Sequence, residues 1–217
     1  MVTTQQSQPP DRAAETVRNR YNRVARIYDL EQAFEEPLIF GRLRKALWAQ
    51  APATGRILEV GAGTGVNMRH YPPGARMTAI DISDRMVTKA RARAERKHVA
   101  VDLAIMDAQH LDFEDGAFDA VVATCVFCSI PDPVAGLREI LRVLKPGGKL
   151  LLLEHVRSGN AVAGKLMDLL NPIAVRMSGA NINRRTIENV RIAGFSDLDV
   201  SSHVLGIVKA IRTTKSV

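Results

Sequence analysis

From Arg56 onward, strand-like apolar runs alternate with helix-like segments, and this alternation most limits what the chain can become. Repeated βαβ units require a mostly parallel sheet covered by helices. Strands are expected at Arg56–Val60, Arg76–Ile80, Val101–Ile105, Phe118–Cys125 and Lys149–His155. Helices are expected between them over Gly65–His70, Asp84–Lys97 and Asp132–Val143. Ser83 is a natural N-cap for the second helix, and Asp132-Pro133 starts the third with proline in its first turn. Lys145-Pro146-Gly147-Gly148 stops that helix and turns the chain into the next strand. Residues 11–50 read as a helical lid or membrane-contact segment, and 156–193 as a mostly helical substrate insertion. Ser196–Val200 and Ser202–Arg212 read as two more strands joined by a tight turn, an antiparallel edge. The expected fold is α/β: a Rossmann-like, doubly wound, seven-stranded sheet in three α/β/α layers. It forms a single domain over 11–217, behind a polar tail at 1–10 that is expected to be disordered.

Ligands in such sheets bind beyond the carboxyl ends of the strands. There the first strand runs into Glu59-Val60-Gly61-Ala62-Gly63-Thr64-Gly65. Alternating glycines let a ligand approach the backbone, and a following helix start offers free N–H groups. A dinucleotide fingerprint would place its third glycine at position 66, where this chain has Val66. The Glu59 carboxylate would repel a pyrophosphate and suits a ligand carrying a cation or an amino group. No Gly-Lys-Ser/Thr follows, which excludes a Walker loop.

Composition narrows the partners. The 217 residues carry a formal charge of +7, which suits an anionic surface such as a membrane or nucleic acid. Three Tyr, six Phe and one Trp, without aromatic-basic interleaving, argue against nucleic acid. Cys125 and Cys128 form a single C-x-x-C in an apolar run, too few ligands for a zinc site. They read as buried free thiols of a reducing cytoplasm, and no metal is expected.

Further acidic and glycine motifs then fall at successive strands. Asp81 ends the second strand in Ala-Ile-Asp-Ile-Ser, and Asp107 follows the third in Met-Asp-Ala-Gln. Phe118-Asp119-Ala-Val-Val opens the fourth, and Leu-Lys-Pro-Gly-Gly-Lys-Leu precedes the fifth. With Glu59–Gly65, this ordered set resembles the class I S-adenosylmethionine (SAM)-dependent methyltransferases over roughly residues 50–155. The resemblance implies SAM as cofactor. Asp81 would accept both ribose hydroxyls, and Asp107 with Ala108 would meet the adenine edge. Ile82 and Met86 would cover the adenine face. Glu59 and the backbone of Gly61, Ala62, Gly63 and Gly65 would hold the methionine portion.

Asn67–Pro73, Cys125-Val-Phe-Cys-Ser-Ile, Leu153-Glu-His-Val, and Asn181 and Thr186 in Gly179-Ala-Asn-Ile-Asn-Arg-Arg-Thr narrow the match. These segments are similar to the UbiE-like group, which includes bacterial phosphatidylethanolamine N-methyltransferases and thiol methyltransferase-like proteins. Tyr21-x6-Tyr28-Asp29 resembles the segment that closes over SAM in that group. Val17, Tyr21, Val24 and Tyr28 recur at helical spacing beside Arg18, Arg20, Arg23 and Arg26. Such a helix suits an anionic lipid surface, or packs its stripe on the domain. Ala161–Ala180 is apolar around much of its circumference, which suits a wall for a lipid tail, core packing or a dimer contact.

The expected activity is N-methylation of phosphatidylethanolamine and its partly methylated forms, by an enzyme docked on the cytoplasmic face of the membrane. Tyr21, Tyr28 and His155 are the candidate catalytic residues, with His155 the candidate base. Its alternative is a strand-end histidine bonded to backbone. Asn181, Arg184 and Arg185 are candidates for the phosphate headgroup, or Arg184 and Arg185 are simply solvated. Quinone C-methylation, thiol S-methylation and a non-catalytic SAM- or membrane-binding module are the competing functions.

Overall fold

The computed structural model describes residues 12–35 and 40–216, and the side chains of 26–35, 177 and 178 lie outside that description. The tail expected at 1–10 therefore falls outside the described residues. Seven strands form one sheet: β1 (Thr54–Val60), β2 (Gly74–Asp81), β3 (Asp102–Ile105), β4 (Phe118–Thr124), β5 (Leu144–His155), β6 (Asp199–His203) and β7 (Val208–Thr214). Their order across the sheet is β3-β2-β1-β4-β5-β7-β6. β1 to β5 pair in parallel, while β7 runs antiparallel to both β5 and β6. The direction of winding reverses between β1 and β4, which sets a switch point at their carboxyl ends.

The central strands are apolar runs because helices cover both faces. Leu58, Val60, Val121, Leu150 and Leu152 share one cluster with Leu137, Ile140 and Val143 of α4 (Pro133–Val143) and Val190 of α6 (Thr186–Ile192). Ile57, Val122, Leu151 and Leu153 face the other way, against Leu47 and Trp48 of α2 (Gly41–Trp48). Both expected caps form. Ser83 Oγ accepts from Met86 N at 3.1 Å to start α3 (Asp84–Lys97), and Asp132 accepts from Val134 N and Ala135 N, each at 3.0 Å.

Three expectations change. The stretch after the glycine loop is a 3-10 turn over Val66–His70, because Pro72 forces Tyr71 into an extended conformation that no helix can continue. β5 starts at Leu144 instead of Lys149, with Gly147 N bonded to Lys215 O and Lys215 N to Gly148 O. The edge strands are Asp199–His203 and Val208–Thr214, displaced from Ser196–Val200 and Ser202–Arg212. Ser201 and Ser202 look like turn residues but pair with Ala210 and Lys209, and the turn falls at Leu205 and Gly206, both with positive φ. Two long helices flank the sheet's carboxyl edge: α1 (Arg12–Glu35) before the sheet and α5 (Ala161–Ser178) after β5.

Candidate cofactor and acceptor site

A cleft opens at the carboxyl ends of β1, β2 and β4, where small ligands bind in sheets of this kind. Gly61 and Gly63 form one wall. Gly61 has φ +69, and a Cβ there would come within 2.3 Å of Val126 Cγ2, so the close approach of the two loops requires glycine. Ala62 and Gly65 lie behind this wall and hold its shape. Ala62 N donates to Ile80 O at 2.9 Å, and Gly65 N donates to Ala62 O at 2.9 Å.

Glu59 does not line the cleft. It is fully buried and shares the sheet face of Ile57, where Asn67 Nδ2 donates to Oε1 at 2.5 Å and the Tyr71 hydroxyl donates to Oε2. Arg44, buried on α2, donates to Asn67 Oδ1 at 3.1 Å and to Thr124 Oγ1. Burial raises the Glu59 carboxyl above its ordinary range, opposed by Tyr71, Asn67 and Arg44. In the structure both oxygens accept from the loop that follows β1, so Glu59 anchors the glycine turn. The sequence carries no local signal for the roles of Arg44 and Thr124, while Asn67 and Tyr71 fall in the Asn67–Pro73 segment that carries the family resemblance.

Asp81 and Asp107 line the cleft. Asp81 accepts from Gly63 N through Oδ2 and from Ser83 N through Oδ1, both at 2.9 Å. Each oxygen keeps a further lone pair for a hydroxyl donor. Burial raises the Asp81 carboxyl above its ordinary range, and the backbone donors at Ser83, Gly63 and Ile82 oppose that. Asp107 is clamped by Gln109, whose N donates to Oδ1 at 2.9 Å and whose Nε2 donates to Oδ2 at 3.0 Å. Ile82, Met86, Met106 and Ala108 supply an apolar bed between these carboxylates. A vicinal diol on Asp81 and a flat heterocycle on the apolar bed are what this arrangement accommodates.

The opposite end is formed by Val17 and Tyr21 of α1 and by the loop after β4, Cys125, Val126, Ser129, Ile130 and Pro131. The Tyr21 hydroxyl and Ser129 Oγ share a 2.5 Å hydrogen bond. Burial, with the Cys128 thiol adding to it, pushes the Tyr21 phenol well above the ordinary tyrosine range, so it stays protonated. Asn22, one residue on, accepts from Ser83 Oγ at 2.5 Å and so ties α1 to the start of α3. The Val17–Tyr21 stripe thus packs over the cleft. Tyr28 lies on α1 among the side chains outside the description. The loop after β4 is held by Glu154, which is fully buried and accepts from Val126 N at 2.9 Å and Phe127 N at 3.3 Å. Burial raises its carboxyl to about 7. Cys128 is a buried free thiol, whereas Cys125 is half-buried and faces the cleft. The lining role of this loop follows from its place at a carboxyl end beside the switch point.

Four further candidates are not part of the cleft wall. His155 follows Leu151 and Leu153 by strand alternation onto the α2 face, and burial lowers its pKa. Asn181 spends its N and Nδ2 on Cys128 O, each at 2.9 Å, and so braces the cleft loop. Arg184 donates to Ile130 O at 2.7 Å, again behind the wall. Arg185 is exposed beside Glu188 at 3.4 Å. In the structure Asn181 and Arg184 brace the cleft loop, and Arg185 makes a surface ion pair. Among the described residues no cluster of His, Cys, Asp or Glu is grouped to hold a metal.

Comparison with known proteins gives this geometry a family. Residues 58–152 match a family model described as a methyltransferase domain. The human thiol S-methyltransferase TMT1A is 32% identical over 177 residues, covering 79% of this chain and 72% of that protein. A phosphatidylethanolamine N-methyltransferase of Cereibacter sphaeroides is 36% identical over 145 residues, 65% of this chain and 68% of that protein. The ubiquinone/menaquinone C-methyltransferase UbiE of Ectopseudomonas mendocina is 31% identical over 206 residues, 86% of this chain and 78% of that protein. A solved SAM-dependent methyltransferase of Thermotoga maritima shares the fold with a TM-score of 0.71 at 22% identity, over 91% of this chain and 99% of that one. The diol-accepting Asp81, the apolar bed and the glycine wall all fit an adenosyl group linked to an amino acid. The chain therefore belongs to the class I SAM-dependent methyltransferases, in the UbiE-like group, and S-adenosylmethionine is its cofactor.

Proposed function

We propose that the protein methylates the amine of phosphatidylethanolamine and of its partly methylated forms, at the cytoplasmic face of an anionic membrane. The similarity to a phosphatidylethanolamine N-methyltransferase carries the choice of acceptor. The described residues at the acceptor end of the cleft, Val17, Tyr21, Cys125, Val126, Ser129, Ile130 and Pro131, are uncharged, which suits an amine that enters neutral.

Bound SAM supplies an electrophilic sulfonium methyl. The chain's part is to position and desolvate the acceptor, which accounts for much of the acceleration in an in-line displacement. An ammonium with a pKa of about 10 has no free lone pair, so it must release its proton first. The apolar wall of Val17, Val126, Ile130 and Pro131 disfavours the charged form and drives that proton to solvent. The Tyr21–Ser129 hydroxyl pair then accepts an N–H of the neutral amine and orients its lone pair. As charge grows on nitrogen, the protonated Tyr21 ring offers a face that tolerates a cation. No histidine base is required.

Incubation with labelled SAM and anionic liposomes containing phosphatidylethanolamine tests the proposal, and label in mono- and dimethylated lipid is the expected result. Thiol S-methylation is the second reading, supported by the similarity to human TMT1A along 79% of the chain. Label in a small alkyl thiol or a quinone ring, with none in lipid, rejects the lipid reading.

A further inference from the structure

We infer that α5 lays an aliphatic stripe on the surface of an anionic phospholipid bilayer. The inference rests on the lipid reading above and names the surface that delivers the cleft to its substrate. Val162, Leu166, Leu169, Leu170 and Ile173 are 79%, 53%, 74%, 41% and 57% exposed. Their spacing of four, three, one and three residues puts them on one side of the helix, over a length of about 16 Å. Exposed leucines scattered singly need no explanation, but five in one row along a helix do.

The rest of α5 explains why this row faces outward. Arg157 grips Asp168 with Nε and Nη2 at 3.0 and 2.8 Å, and Gly164 sits against the same guanidinium. Met167 Sδ accepts from Ser158 N at 3.2 Å. Asn171 donates to Asn181 at 3.1 Å and accepts from Ile182 N at 2.9 Å. These contacts fix the opposite side of the helix to the body. Through Asn181 they also fix it to Cys128 in the cleft loop, so the stripe is rigidly linked to the site.

Charge decides the occupant. The helix exposes Lys165 and Arg176 beside the stripe, and its one carboxylate, Asp168, is already paired with Arg157. Two copies meeting stripe to stripe in antiparallel fashion would bring Lys165 of each towards Arg176 of the other, on chains that each carry +7. Anionic headgroups would complement both cations while the acyl boundary receives the stripe. Basic α1 adjoins the same end, since the Arg20 side chain lies against Gly179 at the C-cap of α5. Leu205 adds an aliphatic point, 98% exposed at the tip of the β6–β7 hairpin. That tip is joined to the β5–α5 connection by Val156 N on Ile207 O at 2.8 Å.

The test measures sedimentation of the full chain with vesicles of phosphatidylglycerol and phosphatidylcholine that contain no phosphatidylethanolamine. Binding is therefore read without catalysis, and absence of lipid methylation would reject the proposed function without touching this inference. Wild type should bind and be released by salt. The triple variant Leu166→Gln/Leu169→Gln/Ile173→Gln should bind roughly tenfold or more weakly, with SAM affinity by calorimetry unchanged. If the triple variant loses SAM binding, Leu169→Gln alone decides, with vesicle binding weakened about threefold and SAM affinity intact. Vesicle binding equal to wild type in a variant that still binds SAM overturns the inference. So does a wild type that ignores vesicles, or a wild-type dimer that the substitutions dissolve.

Discussion

At the cofactor end of the cleft, Asp81 takes its hydrogen bonds from Gly63 and Ser83, the latter only two residues away. At the acceptor end, Tyr21 meets Ser129 across 108 residues of chain, and the loop it meets is held by Glu154 from a third element. The first end is built from backbone groups and short-range contacts within β1, β2 and the turns that follow them. The second is assembled from side chains of α1, the β4 loop and β5. An end made of backbone tolerates little change. An end made of distant side chains can change its acceptor while leaving the cofactor in place, which fits relatives named for thiol, amine and ring-carbon chemistry.

Substitutions can break this contrast. The largest effect is expected at Glu59→Leu, which strands the buried Asn67, Tyr71 and Arg44 partners. A loss of about 3 kcal/mol in urea unfolding is expected, and a loss below one third of that would mean the anchor is dispensable. Asp81→Ala should weaken SAM binding about 100-fold by calorimetry, the scale of losing hydrogen bonds to a charged acceptor. Affinity within threefold of wild type would show that the cofactor end does not depend on Asp81. Tyr21→Phe keeps the ring and removes the hydroxyl. It should lower kcat about tenfold while leaving SAM affinity within about twofold. A joint loss of both would mean the two ends are not separable.

A smaller effect concerns pH. Burial raises Glu154 to about 7 from 4.5, so between those values the folded chain holds a proton that the unfolded chain releases. Stability is therefore lost as pH rises through this window and levels off above it. The wild-type Tm should fall between pH 5 and 7.5 by several degrees more than that of Glu154→Gln, roughly two to four degrees per kcal/mol for a chain of this size. Parallel curves would remove Glu154 as the titrating group. The smallest effect is expected at His155→Ala, with kcat within about twofold of wild type because the ring lies outside the cleft wall. A kcat fall of tenfold or more with stability intact would return His155 to the reaction.

The comparison also accounts for what could be read from the chain. Strand alternation, the Ser83 and Asp132 caps, the glycine turn, Asp81 and Asp107 are signals carried by neighbours in sequence. Their geometry follows from local backbone preferences and from where strands end in a parallel sheet. Residues such as Arg44, Thr124 and Glu154 carry no local mark, since their roles depend on which face of which strand they meet. His155 shows the same limit from the other side. Its position at the carboxyl end of β5 was legible, but one step of strand alternation sends Glu154 to the cleft loop and His155 to the opposite face.

The sequence by itself therefore determined the sheet and its ligand edge, because short-range spacing encodes both, and its resemblance to a methyltransferase family implied the methyl donor. Tertiary structure alone decided that Glu59 anchors the glycine turn, that Tyr21 meets Ser129 over the cleft, and that the apolar row of α5 faces outward. Those outcomes depend on contacts between segments far apart in the chain, where burial and pairing partners are set by packing and not by neighbours in sequence.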